Sequence, residues 1–240
     1  LAARGLSVEL SGRKILREVS LSLGEGEIVA LAGPNGSGKT TLLRALAGTV
    51  KTSRGSVRLA GHEAPASIQE RTAFAALCPQ DPGSILTRES VSDEIRATLR
   101  ARRSRTAAPT VLQQWGLTEY AARDPRDLST GERERAGMAA MLAHEPPVWL
   151  LDEPARGAGL AERDRLVQRL RDHTRTGGGA IVATHDLEFA ARFATRVAGL
   201  EGGRLIFDLP AREALGHDGP HPTQTAQVVP GALVPDEVSW

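Results

Sequence analysis

An α/β fold around a largely parallel sheet is what this sequence predicts, and three observations carry it. Short apolar runs of strand type alternate with segments of helical period. One such run, Glu27–Ala32, passes through a glycine-rich turn directly into a helical segment. The alternation breaks once, between about Pro82 and Arg135, where the strand signal disappears.

The elements follow in order. Leu6–Leu10 alternates apolar and polar residues, and Val19, Leu21 and Leu23 repeat the pattern. Lys39–Ala47 carries Leu42, Leu43 and Leu46 at helical spacing, with Gly48 as its stop. Ser90 with Asp93 reads as a capping box ahead of the stripe Val91, Ile95 and Leu99. A second helix is expected over about Thr110–Trp115, stopping at Gly116. The stretch of about 82–135 therefore reads as a helical subdomain inserted in the α/β core. Strands return at Val148–Leu151 and Ala180–Ala183, separated by a helix near Ala161–Thr174 that meets Gly177-Gly178-Gly179. The body is expected over 1–216. Residues 217–240, rich in Pro, Gly and His, are expected to form a flexible or loosely packed tail.

Composition bounds the function. With 40% hydrophobic and 25% charged residues among 240, the chain reads as globular. A net charge of +1 gives no global field for nucleic acid or an anionic membrane, so no nucleic-acid partner is expected. One cysteine, Cys78, excludes an internal disulfide and a cysteine-rich zinc module, which fits a reducing compartment. No apolar run approaches the roughly 18 residues of a spanning helix. The start lacks an initiator Met, so the chain is expected to be part of something longer.

Gly33-Pro34-Asn35-Gly36-Ser37-Gly38-Lys39-Thr40 fits G-x-x-x-x-G-K-[ST], with a strand before it and a helix after. Three glycines let the backbone curl with its N–H groups inward, and the helix N-terminus adds positive potential. Lys39 is expected on the β- and γ-phosphates of a nucleotide, the Thr40 hydroxyl on Mg²⁺, and Thr41 completes the nucleotide-binding stretch. Val148-Trp149-Leu150-Leu151-Asp152-Glu153 is an apolar strand ending in two carboxylates. Asp152 can hold the Mg²⁺ shell, and Glu153 can orient an attacking water.

These motifs, with those that follow them, resemble the ATPase subunit of an ATP-binding-cassette (ABC) transporter over about residues 5–210. Cys78-Pro79-Gln80-Asp81 resembles the Q-loop, with Gln80 as Mg²⁺ and coupling residue. Leu128-Ser129-Thr130-Gly131-Glu132 resembles the signature LSGGQ, and Ala183-Thr184-His185-Asp186 the switch-histidine loop. The resemblance implies a P-loop NTPase core with a mostly parallel sheet, an N-terminal antiparallel β subdomain and the inserted helical subdomain. It also implies ATP and Mg²⁺, and catalysis by Lys39, Glu153 and His185. Ser129, Thr130, Gly131 and Glu132 would act in trans on a second ATPase domain's nucleotide. On residues alone, Ser129 and Glu132 can equally be a helix cap and its capping-box partner. The partners implied are that second domain, identical or different, and a transmembrane permease, at the cytoplasmic face of a bacterial cell membrane.

Three positions depart from the family pattern. Leu10 stands where members place an aromatic against adenine, and Thr130 where they prefer glycine. Gly159 in Glu153-Pro154-Ala155-Arg156-Gly157-Ala158-Gly159 replaces an aspartate that helps couple two sites. That loop, Val91–Ile95, and Pro222-Thr223-Gln224-Thr225-Ala226-Gln227-Val228 resemble energy-coupling-factor (ECF) uptake ATPases for vitamins or metal ions. The chain also resembles the second half of a fused double ATPase. Alternatives are an ABC ATPase acting on DNA or the ribosome, or a degenerate regulatory partner. The first needs coiled-coil arms, zinc modules or a charged tandem linker, and the sequence has none of these. The second is favoured by Thr130 and Gly159 and opposed by Glu153 and His185. Arg96, Arg100, Arg102, Arg103 and Arg105 read as a solvated helix end, or as a contact for membrane phosphates or an acidic loop.

Overall fold

The computed structural model describes residues 1–229 and 231–237. β1 (Ala2–Leu10) and β2 (Arg13–Ser22) lead to β3 (Ile28–Ala32) and α1 (Lys39–Ala47). Then come β4 (Arg54–Leu59), β5 (His62–Glu63), α2 (Ile68–Phe74) and β6 (Ala75–Cys78). The helices α3 (Val91–Ala101), α4 (Ala108–Gln114) and α5 (Thr130–Leu142) follow. β7 (Val148–Asp152), α6 (Leu160–Arg175), β8 (Gly179–Ala183) and α7 (Leu187–Ala191) restore the alternation. β9 (Arg196–Glu201), β10 (Arg204–Pro210), α8 (Ala211–Leu215) and α9 (Gln224–Val228) complete the described elements.

Two sheets form. The smaller, in the order β2-β1-β4-β5, is antiparallel. Its first hairpin turns through Ser11 and Gly12, both at positive φ. The larger runs β10-β9-β3-β8-β7-β6 and is parallel except for β10, antiparallel at the edge.

β3, β7 and β8 are buried at every position, the pattern of strands covered on both faces. Alternation then divides the core. Val29, Leu31, Leu150 and Ile181 pack with α1 and the smaller sheet, whereas Ala30, Trp149, Leu151 and Val182 pack with α3, α4, α5 and α6. Parallel register sets Leu31 opposite Ala183 and Asp152 opposite the same residue. The carboxyl ends of β3, β7 and β8 therefore lie level along one edge, the edge where α/β sheets bind ligands.

Among the described residues no strand lies between β6 and β7, as expected for the helical stretch. Its start helix is capped by Ser90, whose Oγ accepts from Asp93 N at 3.1 Å. The second helix begins two residues earlier than expected, with Pro109 in its first turn. The arginines at the end of α3 do not all face solvent: Arg102 donates to Gln69 O at 2.7 Å and to Thr72 Oγ1 at 2.6 Å.

The expectation of a loose tail needs correction. Thr223, Ala226 and Leu233 are buried. Glu188 on α7 accepts from Thr225 N at 2.9 Å and from Thr225 Oγ1 at 3.2 Å. Thr223 Oγ1 caps α9 by accepting from Ala226 N at 3.0 Å. Pro230 and residues 238–240 of the expected tail lie outside the described residues.

Candidate functional site

At the carboxyl edge of the sheet a cleft of about 590 Å³ is lined by Ile15, Asn35, Gly36, Gly38, Lys39, Thr40, Thr41, Gln80, Asp152, Glu153, Arg156 and His185. Residues from five separate stretches of sequence meet there: the parallel strands β3, β6, β7 and β8 deliver four of them at their carboxyl ends, and β2 of the smaller sheet brings Ile15.

The loop from Gly33 to Gly38 is fixed by backbone geometry. Gly33, Gly36 and Gly38 have φ of 148°, 79° and 108°. A Cβ at Gly33 would stand 2.1 Å from Leu200 O, so no other residue fits. Gly38 is the N-cap of α1 and provides no side-chain cap, which leaves the first-turn N–H groups without intrahelical acceptors. The Ser37 hydroxyl is buried and has no hydrogen-bond partner among the described residues. Lys39 is buried as well, and its ammonium donates to Gly33 O at 2.7 Å and Pro34 O at 3.2 Å. Open N–H groups and a cation at one concavity fit a phosphate chain.

Asp152 ends β7 and shares the cleft with the Thr40 hydroxyl. Burial raises its carboxyl above the ordinary range, Thr40 opposes that rise, and the Glu153 charge adds to it. Two hard oxygen donors side by side, with Gln80 on the same cleft, fit Mg²⁺.

Glu153 stands in the left-handed region at φ 49°, a strained conformation for a residue with a Cβ. Its N–H donates to Ala183 O at 2.9 Å, which turns the chain sharply and presents the side chain to the cleft. His185 Nδ1 lies 2.9 Å from both carboxylate oxygens of Glu153. The carboxylate only accepts, so Nδ1 carries the proton and donates.

Ser129, Thr130, Gly131 and Glu132 do not line this cleft. Ser129 caps α5 with its Oγ accepting from Glu132 N at 3.5 Å, and Glu132 Oε2 accepts from Ser129 N at 2.9 Å. The capping box is complete. The Ser129 hydroxyl, the Tyr120 hydroxyl and the Ser129 N–H hold the Glu132 carboxyl down at about 2. Thr130 and Gly131 line a second cavity, between α4, α5 and α6, which Gln80 and Glu153 border from the other side.

Leu10 is exposed at the β1–β2 turn and does not line the cleft, whereas Ile15 does. Neither Ile15 nor Arg156 was expected in the cleft from sequence. Only the hairpin register brings Ile15 here, while Arg156, in the loop after Glu153, had position as a signal. Gly33, Pro34 and Ser37 shape the loop without lining the cleft. Cys78 is buried, and burial pushes its thiol up, so it behaves as an inert core residue.

A glycine-rich anion cradle at the carboxyl edge of a parallel sheet, beside a strand-end Asp-Glu pair, defines a P-loop nucleotide-binding protein. The chain belongs to the ABC transporter family, whose pattern matches residues 16–156. An ABC transporter ATP-binding protein of Streptomyces coelicolor is 38% identical over 234 residues, 94% of this chain and 40% of that protein. This chain thus spans about two fifths of that relative. A hemin import ATP-binding protein, HmuV, of Nocardia farcinica is 37% identical over 233 residues, 91% of this chain and 80% of the relative. CbiO1 from Clostridium perfringens, part of the ABC transporter complex CbiONQ, has a similar structure. It is 25% identical with a TM-score of 0.75, covering 88% of both chains.

Proposed function

We propose that the chain is the ATP-hydrolysing subunit of an ABC importer, working in a dimer at the cytoplasmic face of a bacterial cell membrane. The observation that carries this is the convergence of Lys39, Thr40, Gln80, Asp152, Glu153 and His185 on one cleft. The backbone from Gly33 to Thr41 would cradle the phosphates, with Lys39 exchanging its loop carbonyls for β- and γ-oxygens. Thr40, Gln80 and Asp152 would hold Mg²⁺, which neutralises phosphate charge. Glu153 would orient the attacking water and take its proton, while His185, with Nδ1 held by Glu153, would offer Nε2 to the γ-phosphate.

The signature residues Ser129, Thr130, Gly131 and Glu132 would complete the cleft of a second ATPase domain, identical or different. A transmembrane permease is the other partner. No nucleic acid is involved. The likeness to CbiO1 and the segment Pro222–Val228 support an ECF-type uptake system, for a vitamin or metal ion. Among the described residues no helix is long and apolar enough to cross a membrane.

Steady-state ATP turnover with Mg²⁺ tests the reading. Glu153→Gln should lower the rate about 10²–10⁴-fold with nucleotide still bound. Lys39→Ala should instead weaken ATP binding itself. A loss below threefold in Glu153→Gln would remove Glu153 from its role.

A further inference from the structure

Arg163 lies in the first turn of α6, where the field of the helix opposes a cation. Three contacts compensate. Nη1 donates to Asp186 Oδ2 at 2.5 Å, and Nε donates to the carbonyl of Ala158 at 3.2 Å. The guanidinium carbon is 5.6 Å from the centre of the Phe189 ring. These partners belong to different pieces of the chain: the loop that follows Glu153, the residue that follows His185, and α7.

Asp186 is itself fixed. Its Oδ1 accepts from Phe189 N at 2.9 Å, capping α7, and its own N–H donates to Thr184 Oγ1 at 3.1 Å. The Arg163–Asp186 pair is about 29% exposed on each side, so the bond is partly shielded from water. One side chain thus ties together the two loops that carry Glu153 and His185. Neither Arg163 nor Asp186 lines the cleft.

We propose that Arg163 is a positioning residue that sets the Glu153–His185 contact through Asp186 and the Ala158 carbonyl. This rests on the reading of the cleft as hydrolytic. Loops are the softest parts of such an edge, and a misplacement of about 1 Å in a reacting geometry can cost about 10²-fold.

The test uses the full chain. Arg163→Met should lower kcat about 10- to 100-fold, with KM for ATP and nucleotide affinity within about twofold. Arg163→Lys should recover part of the loss, since an ammonium can pair with Asp186 but cannot also span to Ala158 as a fork. Asp186→Asn keeps a good cap for α7 and should reproduce the loss, and the double variant should be no worse than either single one. In ¹⁵N spectra of the imidazole rings, the His185 Nδ1–H signal should broaden or vanish in Arg163→Met and persist in Glu188→Gln. Additive losses, a raised KM with kcat retained, or an unaltered His185 ring signal would overturn the proposal. Failure of the hydrolytic reading looks different: the unmodified chain would show no Mg²⁺-dependent turnover that Glu153→Gln removes, while the ring signal would still report on Arg163.

Discussion

Thr40, in the first turn of α1, and Asp152, at the end of β7, line one cleft, where the Thr40 hydroxyl favours the ionised form of the Asp152 carboxyl. Asp152 is only 6% exposed, and burial outweighs the influence of Thr40, so its ionised form is disfavoured in the fold. The same arrangement that prepares a hard-cation site therefore costs stability when no cation is bound. An acid whose folded-state pKa lies above its unfolded value stabilises the fold less as pH rises through the folded value.

Asp152→Asn follows directly. The amide keeps the shape of the side chain, but the charge is gone. In chelator at pH 8 the variant should melt higher by about 2–4 °C, corresponding to about 1 kcal/mol. Mg²⁺-dependent ATP turnover should be lost. A lower melting temperature in chelator would contradict the burial argument.

Glu134 on α5 gives a pH dependence of known sign. Burial first, then a hydrogen bond with Asp81 and its charge, push the Glu134 carboxyl up to about 7 from an ordinary 4.5. The folded chain thus holds a proton that the unfolded chain has released. Stability should fall as pH rises from near 4.5 to near 7 and level off above. The group is partly exposed, and solvent screening reduces the effect to about 1 kcal/mol. Denaturant midpoints for Glu134→Gln should be flatter with pH than those of the unmodified chain, and higher at pH 8. Parallel curves would exclude Glu134 as the source.

How much of this was legible in sequence depends on how local each signal is. The Gly33–Thr40 loop and the Ser129–Glu132 box are written in consecutive residues, because turn and cap chemistry need specific side chains at fixed offsets. β7 was legible because a strand buried on both faces is a continuous apolar run. The tail was not, since its Pro-Gly-His composition reads as loose while its anchor is Glu188, 37 residues away from Thr225. α2 and α7 were missed for a related reason: α2 buries no residue, and α7 spans one turn. Arg163 left a trace, a cation in the first turn of a helix. Its partner Asp186 lies 23 residues further on and becomes visible only in three dimensions.

Ser129 separates a structural role from a proposed intermolecular one. Ser129→Ala and Ser129→Arg both remove the cap of α5 and should each cost about 1 kcal/mol. Only the arginine places bulk and charge where a second chain's phosphates would dock. In a Glu153→Gln background, ATP should still drive dimerisation of the alanine variant and fail to drive that of the arginine variant, read by sedimentation. Equal dimerisation in both would refute action in trans.

Gly159 has the most to reveal about the pairing of sites. It is the N-cap of α6 and gives no side-chain hydrogen bond to that helix. Its φ of −70° suits any residue, and among the described residues nothing lies within 4 Å of a Cβ built there. Aspartate is therefore sterically free to enter and can accept from the open N–H groups of the first turn. Relative to glycine that cap is worth a few tenths of a kcal/mol, so Gly159→Asp should raise the melting temperature by about 1 °C. The larger expectation concerns rate. A carboxylate in this loop can hold groups of an opposing site in register, whereas glycine offers none. The unmodified chain alone should hydrolyse ATP slowly, and faster when paired with an ATPase domain that carries the missing carboxylate. Gly159→Asp should raise the rate of the isolated chain. Two results together would sink the asymmetric-dimer reading: turnover already at tens per second without a partner, and no change in that rate on Gly159→Asp.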